Sequence, residues 1–377
     1  MRFQLTEEAE MTRTVLQQFV REQVAPAAVA RDEAHLFDRA LFKQMGQLGL
    51  TGILFPERYG GVGGDKLTYA VALEEIAKGC ASSATSLAMH TVYCAWPIYH
   101  FGAEPIRERV LIPLVQGTAL GGACLAGVTR QSEHGTNGAS VTADEAGDWI
   151  RLNGSHPVML HAGYADTYVI CAPMARNRQW NMLLINDQEA GLTLKPTVQK
   201  LGLHAVPVAE ALFQNCTIPR EQRIGRFGSG AKAVSTMLQL GQLSAAAIAV
   251  GIAQGALDEA TAYAKTRKQF GVAIGRQQGI LFKLADMSVR TEASRLLIYQ
   301  AAWQLDAGLD SSRACAIARR YAARTAVAVA TEAVQVFGGY GYMREYRVER
   351  YMRDAKGIDS DFMLGGMIVE EELRILQ

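Results

Sequence analysis

The sequence predicts a mostly α-helical protein with a β-domain in its middle. Three observations carry that reading. Apolar residues recur at helical spacing towards the chain's start, and short β-favouring runs bounded by turn residues fill its middle. The last third holds alanine-rich helical runs longer than an average helix. At 377 residues the chain is long enough for two or three packed units.

The first unit is expected over residues 1–117. Thr6 followed by Glu7 and Glu8 marks a helix start, because acids favour the positive end of the helix dipole. Leu41, Met45 and Leu48 lie three or four apart and line one helical face. Pro56-Glu-Arg-Tyr-Gly-Gly61 interrupts the pattern as a turn, and Leu73 to Ala77 resumes it. The second unit, 118–228, carries runs such as Thr167-Tyr-Val-Ile-Cys171 and Met182-Leu-Leu-Ile185, bounded by Gly, Asn, Asp and Pro. Pro219 and Gly225 to Gly230 close it. The third unit, 229–377, predicts helices over Ala233 to Lys265, Leu284 to Ala307 and Ser312 to Phe337. Within it, Ser244 to Gly251 is apolar around most of its circumference, which demands burial on more than one side. A central helical bundle or a subunit interface meets that demand.

Bulk properties narrow the function. Apolar residues make up 49% and charged residues 20%, an ordinary globular balance. A formal net charge of +1 gives no electrostatic reason to expect nucleic acid or a membrane surface. Six scattered cysteines without a CxxC pair fit reduced, buried thiols, and no metal-ligand spacing stands out. The start lacks the apolar core of a signal peptide, and no apolar run reaches the roughly 20 residues a bilayer span needs. A cytoplasmic location is the expectation.

The most specific residues lie in the last third. Thr266-Arg-Lys-Gln-Phe-Gly271, Gln278 and Phe282 to Met287 come first. Glu332-Ala-Val-Gln-Val-Phe-Gly-Gly-Tyr-Gly-Tyr342, Arg344 to Arg350 and Arg353-Asp-Ala-Lys356 follow. With the Pro56 to Gly61 turn, Lys200-Leu-Gly-Leu203 and Ile218-Pro219 in the same order, the chain resembles the acyl-CoA dehydrogenase family over nearly its whole length. The resemblance implies an N-terminal helical domain, a middle β-barrel-like domain and a C-terminal four-helix bundle. It also implies FAD, and a homodimer or homotetramer in which a neighbouring subunit completes the FAD pocket. Arg267, Phe270 and Gln278 would then reach the FAD of a partner subunit, as would Gln335 with Gly338 and Gly339. The chemistry of these residue types agrees. An anionic pyrophosphate calls for a fixed cation, which the Arg267 guanidinium supplies. Glycines at 338 and 339 let the backbone approach a ligand.

The departures from the family cluster at the chemical end of the flavin. The family's aromatic-x-(Leu/Met/Val)-Thr-Glu-Pro run becomes Ala126-Gly-Val-Thr-Arg-Gln131, in which Val128 and Thr129 remain for backbone contact with the isoalloxazine. The hydroxyl that the family places near flavin N5 is Leu160 here. The family's usual base is a glutamate after Arg-Asp-Ala-Lys, and ungapped alignment puts Phe362 there. Other members place the base on the first long C-terminal helix, where this chain has Gly241-Gln242. Catalysis needs a base within hydrogen-bond reach of the proton it removes. Asp361, Gln242 and His161 are the remaining candidates. The leading expectation is an FAD-dependent oxidoreductase of an acyl thioester, carried by coenzyme A or an acyl carrier protein. It would serve a specialised pathway and pass electrons to a flavoprotein or oxygen. A flavin-dependent oxygenase and a silent subunit of a larger dehydrogenase are the alternatives.

Overall fold

Capping side chains set the first helices. The Thr6 hydroxyl accepts from the Ala9 N–H at 3.2 Å and opens α1 (Glu7–Phe19). The computed structural model describes residues 5–125, 141–186, 188–197 and 199–360. After α2 (Ala28–Glu33), Asp38 caps α3 (Arg39–Gln47) and Asp65 caps α4 (Lys66–Gly79), each carboxylate accepting the N–H three residues on. α5 (Ala81–His90) runs through a π-helical turn, Thr91–Ala95, into α6 (Trp96–Phe101). The short α7 (Glu104–Ile106) and α8 (Ile112–Val115) complete the unit. Leu41 and Met45 face the core as their spacing predicts, but Leu48 is 44% exposed, because α3 ends just before it. The Pro56 turn holds Gly60 at φ +82°, and Gly61 lies so close to the Phe55 carbonyl that any Cβ would collide with it.

Among the described residues, eight strands form the middle sheet, and they are β1 (Gly121–Leu125), β2 (Thr142–Ala146), β3 (Trp149–Leu160), β4 (Thr167–Pro173), β5 (Trp180–Asn186), β6 (Leu192–Thr197), β7 (Val208–Pro219) and β8 (Arg223–Ile224). Their order is β6-β7-β3-β1-β4-β5-β8, with β2 on β3. Only β1 and β4 run parallel among the paired strands described. Every residue of β1 and β4 is buried, which explains why β4 reads as a continuous apolar run.

The C-terminal unit is helical. α9 (Gly230–Thr266) leads into a hairpin of β9 (Lys268–Gln269) and β10 (Val272–Ala273). α10 (Gln278–Asp306), α11 (Ser312–Phe337) and α12 (Val348–Asp359) follow. α10 begins at Gln278 rather than Leu284, so its first turns carry the sequence motif itself. Contrary to the composition-based expectation, Lys232–Thr266 is long and apolar enough to cross a membrane, yet 94% of its most apolar window is buried inside the protein. It is the core helix of the bundle. Gly251 and Gly255 face α4 so closely that a Cβ would strike the Glu74 and Lys78 carbonyls.

Charged contacts tie the units together. Arg39 grips Asp166 with its Nη2 at 2.7 and 2.6 Å, and the same carboxylate accepts the Leu120 N–H at 2.7 Å just before β1. At α12, Asp354 accepts the Leu203 N–H at 2.6 Å, and Arg353 reaches Asp32 at 2.7 Å.

Candidate functional site

The C-terminal motif folds into one groove of 540 Å³, walled by the end of α9, the hairpin, the start of α10 and the end of α11. Arg267, Gly338 and Gly339 line it together, although 71 positions separate Arg267 from Gly338 (338 − 267). Among the described residues that line it there is no carboxylate to compete for the Arg267 charge.

Local geometry explains each placement. α9 stops at Arg267, whose extended backbone (φ −69°, ψ 129°) turns the chain out while its N–H still donates to the Tyr263 carbonyl. Its guanidinium stands 5.5 Å over the Tyr340 ring, a cation–π contact that fixes the fork. α11 ends on Gly338 at φ +61°, a conformation that suits glycine. A Cβ at Gly338 or Gly339 would meet nothing within 4 Å, so these glycines give the groove an open backbone wall. Gln277 precedes α10 without a side-chain cap, leaving first-turn N–H groups at the positive end of a 29-residue helix. Anions are favoured at such an end.

The neighbouring motif residues stand at the groove's margin. Phe270 and Gly271 form the two-residue turn of the hairpin, at φ +51° and +81°. A left-handed phenylalanine is uncommon, and this one is 93% exposed in the single chain. Gln278 is exposed at the first position of α10, and Gln335 is exposed on the last turn of α11. Sequence reasoning missed Tyr263 and Phe337, whose stacked rings lie 4.0 Å apart in the groove wall, and Tyr340. Tyr263 precedes Arg267 by one helical turn, a spacing that could have exposed it.

At the chemical end, Val128, Thr129 and Asp361 lie outside the described residues, as do Arg130, Gln131 and Phe362. Leu160 closes β3, is buried, and pairs with Ala123 on one side and Val208 on the other. It presents no side-chain donor. Gln242 is fully buried on α9.

His161, the acid–base candidate, lies fully buried against the start of β1. Its Nδ1 donates to the Gly121 carbonyl at 2.8 Å, while the Gly121 N–H donates to His90 Nδ1 at 2.9 Å. His90 Nε2 in turn reaches the Leu114 carbonyl at 3.0 Å. Two buried imidazoles therefore hold the first residue of β1. Burial pushes the pKa of His90 down to about 3 and that of His161 to about 4, so both stay neutral.

Comparison with known proteins agrees with this geometry. The acyl-CoA dehydrogenase N-terminal domain pattern matches residues 6–118 and its C-terminal domain pattern residues 228–359. A probable acyl-CoA dehydrogenase of Bacillus subtilis is 39% identical over 360 residues, 94% of each chain. The chain belongs to the acyl-CoA dehydrogenase family. The butyryl-CoA dehydrogenase structure from Megasphaera elsdenii superposes on this family member with a TM-score of 0.92 at 36% identity, covering 100% of this chain and 98% of that one. Two further structures lie at lower identity. The prolyl acyl carrier protein oxidase AnaB has a TM-score of 0.90 at 26%, covering 99% of each chain. PigA, solved with FAD and proline, has 0.91 at 25%, covering 100% of this chain and 98% of that one. The protein is an FAD-dependent oxidoreductase of acyl thioesters.

Proposed function

We propose that this oxidoreductase serves a specialised pathway rather than straight-chain β-oxidation, on a thioester whose oxidation needs no carbon base. The carrying observation is the pair of positions at which the family keeps its base. Gly241-Gln242 stands on α9, with Gln242 fully buried, and Phe362 aligns with the other position. None of the three is a carboxylate.

FAD fits the groove at the C-terminal motif, and when bound it supplies a two-electron acceptor for a hydride. Arg267 and the N-terminus of α10 hold its pyrophosphate, Gly338 and Gly339 admit it against the backbone, and Gln278 and Gln335 bind its polar edges. Phe270, strained and exposed at the hairpin tip, covers the flavin of a neighbouring subunit, and Val128, Thr129 and Leu160 contact the isoalloxazine. Leu160 brings no hydroxyl to that contact. His161 donates its Nδ1–H to the Gly121 carbonyl, which fixes the ring's position in the interior.

A substrate with a hydroxyl or amine on the carbon that loses hydride releases its proton from oxygen or nitrogen. Such a substrate makes the α-carbon base unnecessary, and the aminoacyl carrier oxidase among the similar structures supports it. Anaerobic bleaching of the flavin by acyl-CoA and acyl-carrier thioesters tests the reading. Reduction by a thioester bearing a hydroxyl or an amine, with release of the keto or imino product, is expected. A flavin that stays oxidised against every thioester would sink it. A second reading, an oxygenase, draws on the missing donor at Leu160, and it requires ¹⁸O from labelled O₂ in the product.

The working form is a homodimer or homotetramer. Phe282, Val289, Leu296 and Trp303 recur every seven residues on α10 and are all exposed in the single chain. Light scattering of the FAD-loaded protein should give two or four chains. A monomer with one tightly held FAD contradicts the shared site.

A further inference from the structure

A cavity of 40 Å³ lies where all three units meet, apart from the FAD groove. Arg344, Arg347, Arg350 and Arg353 enter it from the start of α12 and the residues before it, and His35 and His204 from the first two units. The two imidazoles stack at 4.1 Å with an interplanar angle of 15°. Three carboxylates, Asp32, Glu33 and Glu349, also line it. Two of them are already taken. Arg353 donates to Asp32 at 2.7 Å and to Glu349 at 2.6 and 2.9 Å, and His204 Nδ1 stands 3.3 Å from Asp32. The third, Glu33, is exposed.

Arg350 is left over. Only 4% of it is exposed, yet its guanidinium makes one hydrogen bond among the described residues, from Nη2 to the Gly79 carbonyl at 3.0 Å. Its Nε and Nη1 have no partner there. Asp354, one turn along α12, accepts the Leu203 N–H instead, and the nearby Cys80 is a free thiol. A buried guanidinium is costly unless an anion neutralises it and accepts its hydrogen bonds. The helix adds to the demand. Arg347 is the N-cap of α12 and brings no side-chain cap, so the first N–H groups of this 12-residue helix add positive potential beside Arg350.

Size limits the anion. About 10–15 Å³ holds one water, so 40 Å³ takes roughly three water-sized groups, which suits one oxyanion and excludes a ring or a chain. The planar arginine forks match the oxygens of phosphate or sulfate. We infer that this cavity is a binding site for one phosphate or sulfate group, held by Arg350 with Arg344 and Arg347. Bound there, the anion joins α12 to the end of α2 and to the loop of His204, beside the ion pair of Arg353 with Asp32. It therefore stabilises the assembled units, and the inference stands independently of the flavin chemistry proposed above.

The test uses the FAD-loaded, full-length protein, so that FAD already fills the pyrophosphate groove. Calorimetric titration with inorganic phosphate, at an ionic strength held constant with sodium chloride, should show one phosphate per chain. The thermal midpoint should rise by about 3 °C at a hundredfold excess over Kd. Arg350→Met, which keeps the apolar stem, should raise the phosphate Kd roughly tenfold or more and flatten the thermal response. Where that variant does not fold, Arg344→Gln with Arg347→Gln changes only exposed side chains and carries the same comparison. Titration with AMP separates the sources. Binding no tighter than phosphate assigns the site to the free anion, and tighter binding assigns it to a phosphate ester whose remainder lies outside the cavity. No heat of binding, a midpoint that chloride raises as much, or a response unchanged in the variants overturns the inference and leaves buried water as the partner of Arg350.

Discussion

Replacing Arg267 with alanine is expected to weaken FAD binding by about 1.5–3 kcal/mol, a roughly 10- to 150-fold rise in Kd. Among the described residues lining the groove, the guanidinium is the one permanent cation and there is no carboxylate. Its contact with Tyr340 holds it over the open wall at Gly338 and Gly339. The fold should not suffer, because Arg267 is exposed and lies just past the end of α9. Arg267→Lys keeps the charge but loses the planar fork, and should fall between wild type and alanine. Titration of apoprotein with FAD, followed by flavin fluorescence, reads the change directly. Equal affinities in all three proteins would remove the phosphate role from Arg267.

Acid is expected to unfold this protein from within. The ordinary histidine pKa is 6.5, while burial lowers His90 to about 3 and His161 to about 4. Below about pH 6.5 the unfolded chain therefore binds protons that the folded chain refuses. The stabilisation is complete above that pH and is lost as pH falls, at about 1.4 kcal/mol per unit for each histidine. At pH 5 the loss is about 2 kcal/mol per histidine, and it continues until the folded values are reached. Asp354 runs the other way. Its buried carboxyl has a pKa raised from 3.8 to about 6, so the folded state takes up that proton first, and acid recovers a smaller part of the loss. Urea midpoints between pH 7.5 and 5 should fall steeply. His161→Asn, which keeps a donor for the Gly121 carbonyl without a titrating ring, should remove about a quarter of the histidine-dependent slope, because burial also lowers His100 and His156 to about 4. A midpoint that does not move with pH would refute the neutral clamp.

Periodicity and turn chemistry carried much of the architecture. Ser312 to Phe337 is a helix with the ends its pattern predicts, and Thr6 caps α1 as its acidic neighbours suggest. Leu48 and the start of α10 were less legible, since both concern helix ends, where a cap or a preceding hairpin decides the boundary. Within the groove, Arg267 and the paired glycines stood out because charge and missing side chains are visible in a sequence. Tyr263 and Phe337 did not, because an aromatic residue at helical spacing reads first as core. The contacts of His161 were not legible either, because they depend on Gly121 being brought between it and His90 by the fold.

The glycines at 251 and 255 bear on how such an enzyme diversifies. They seat α9 directly on the backbone of α4, midway along a helix about 55 Å long. The helix is thereby pinned between Gln242 and Ser244 towards one end and Tyr263 with Arg267 at the other. A strut clamped at its centre keeps changes at one end from shifting the other. Substitutions around Gln242 and Ser244 can thus leave Tyr263 and Arg267 in place.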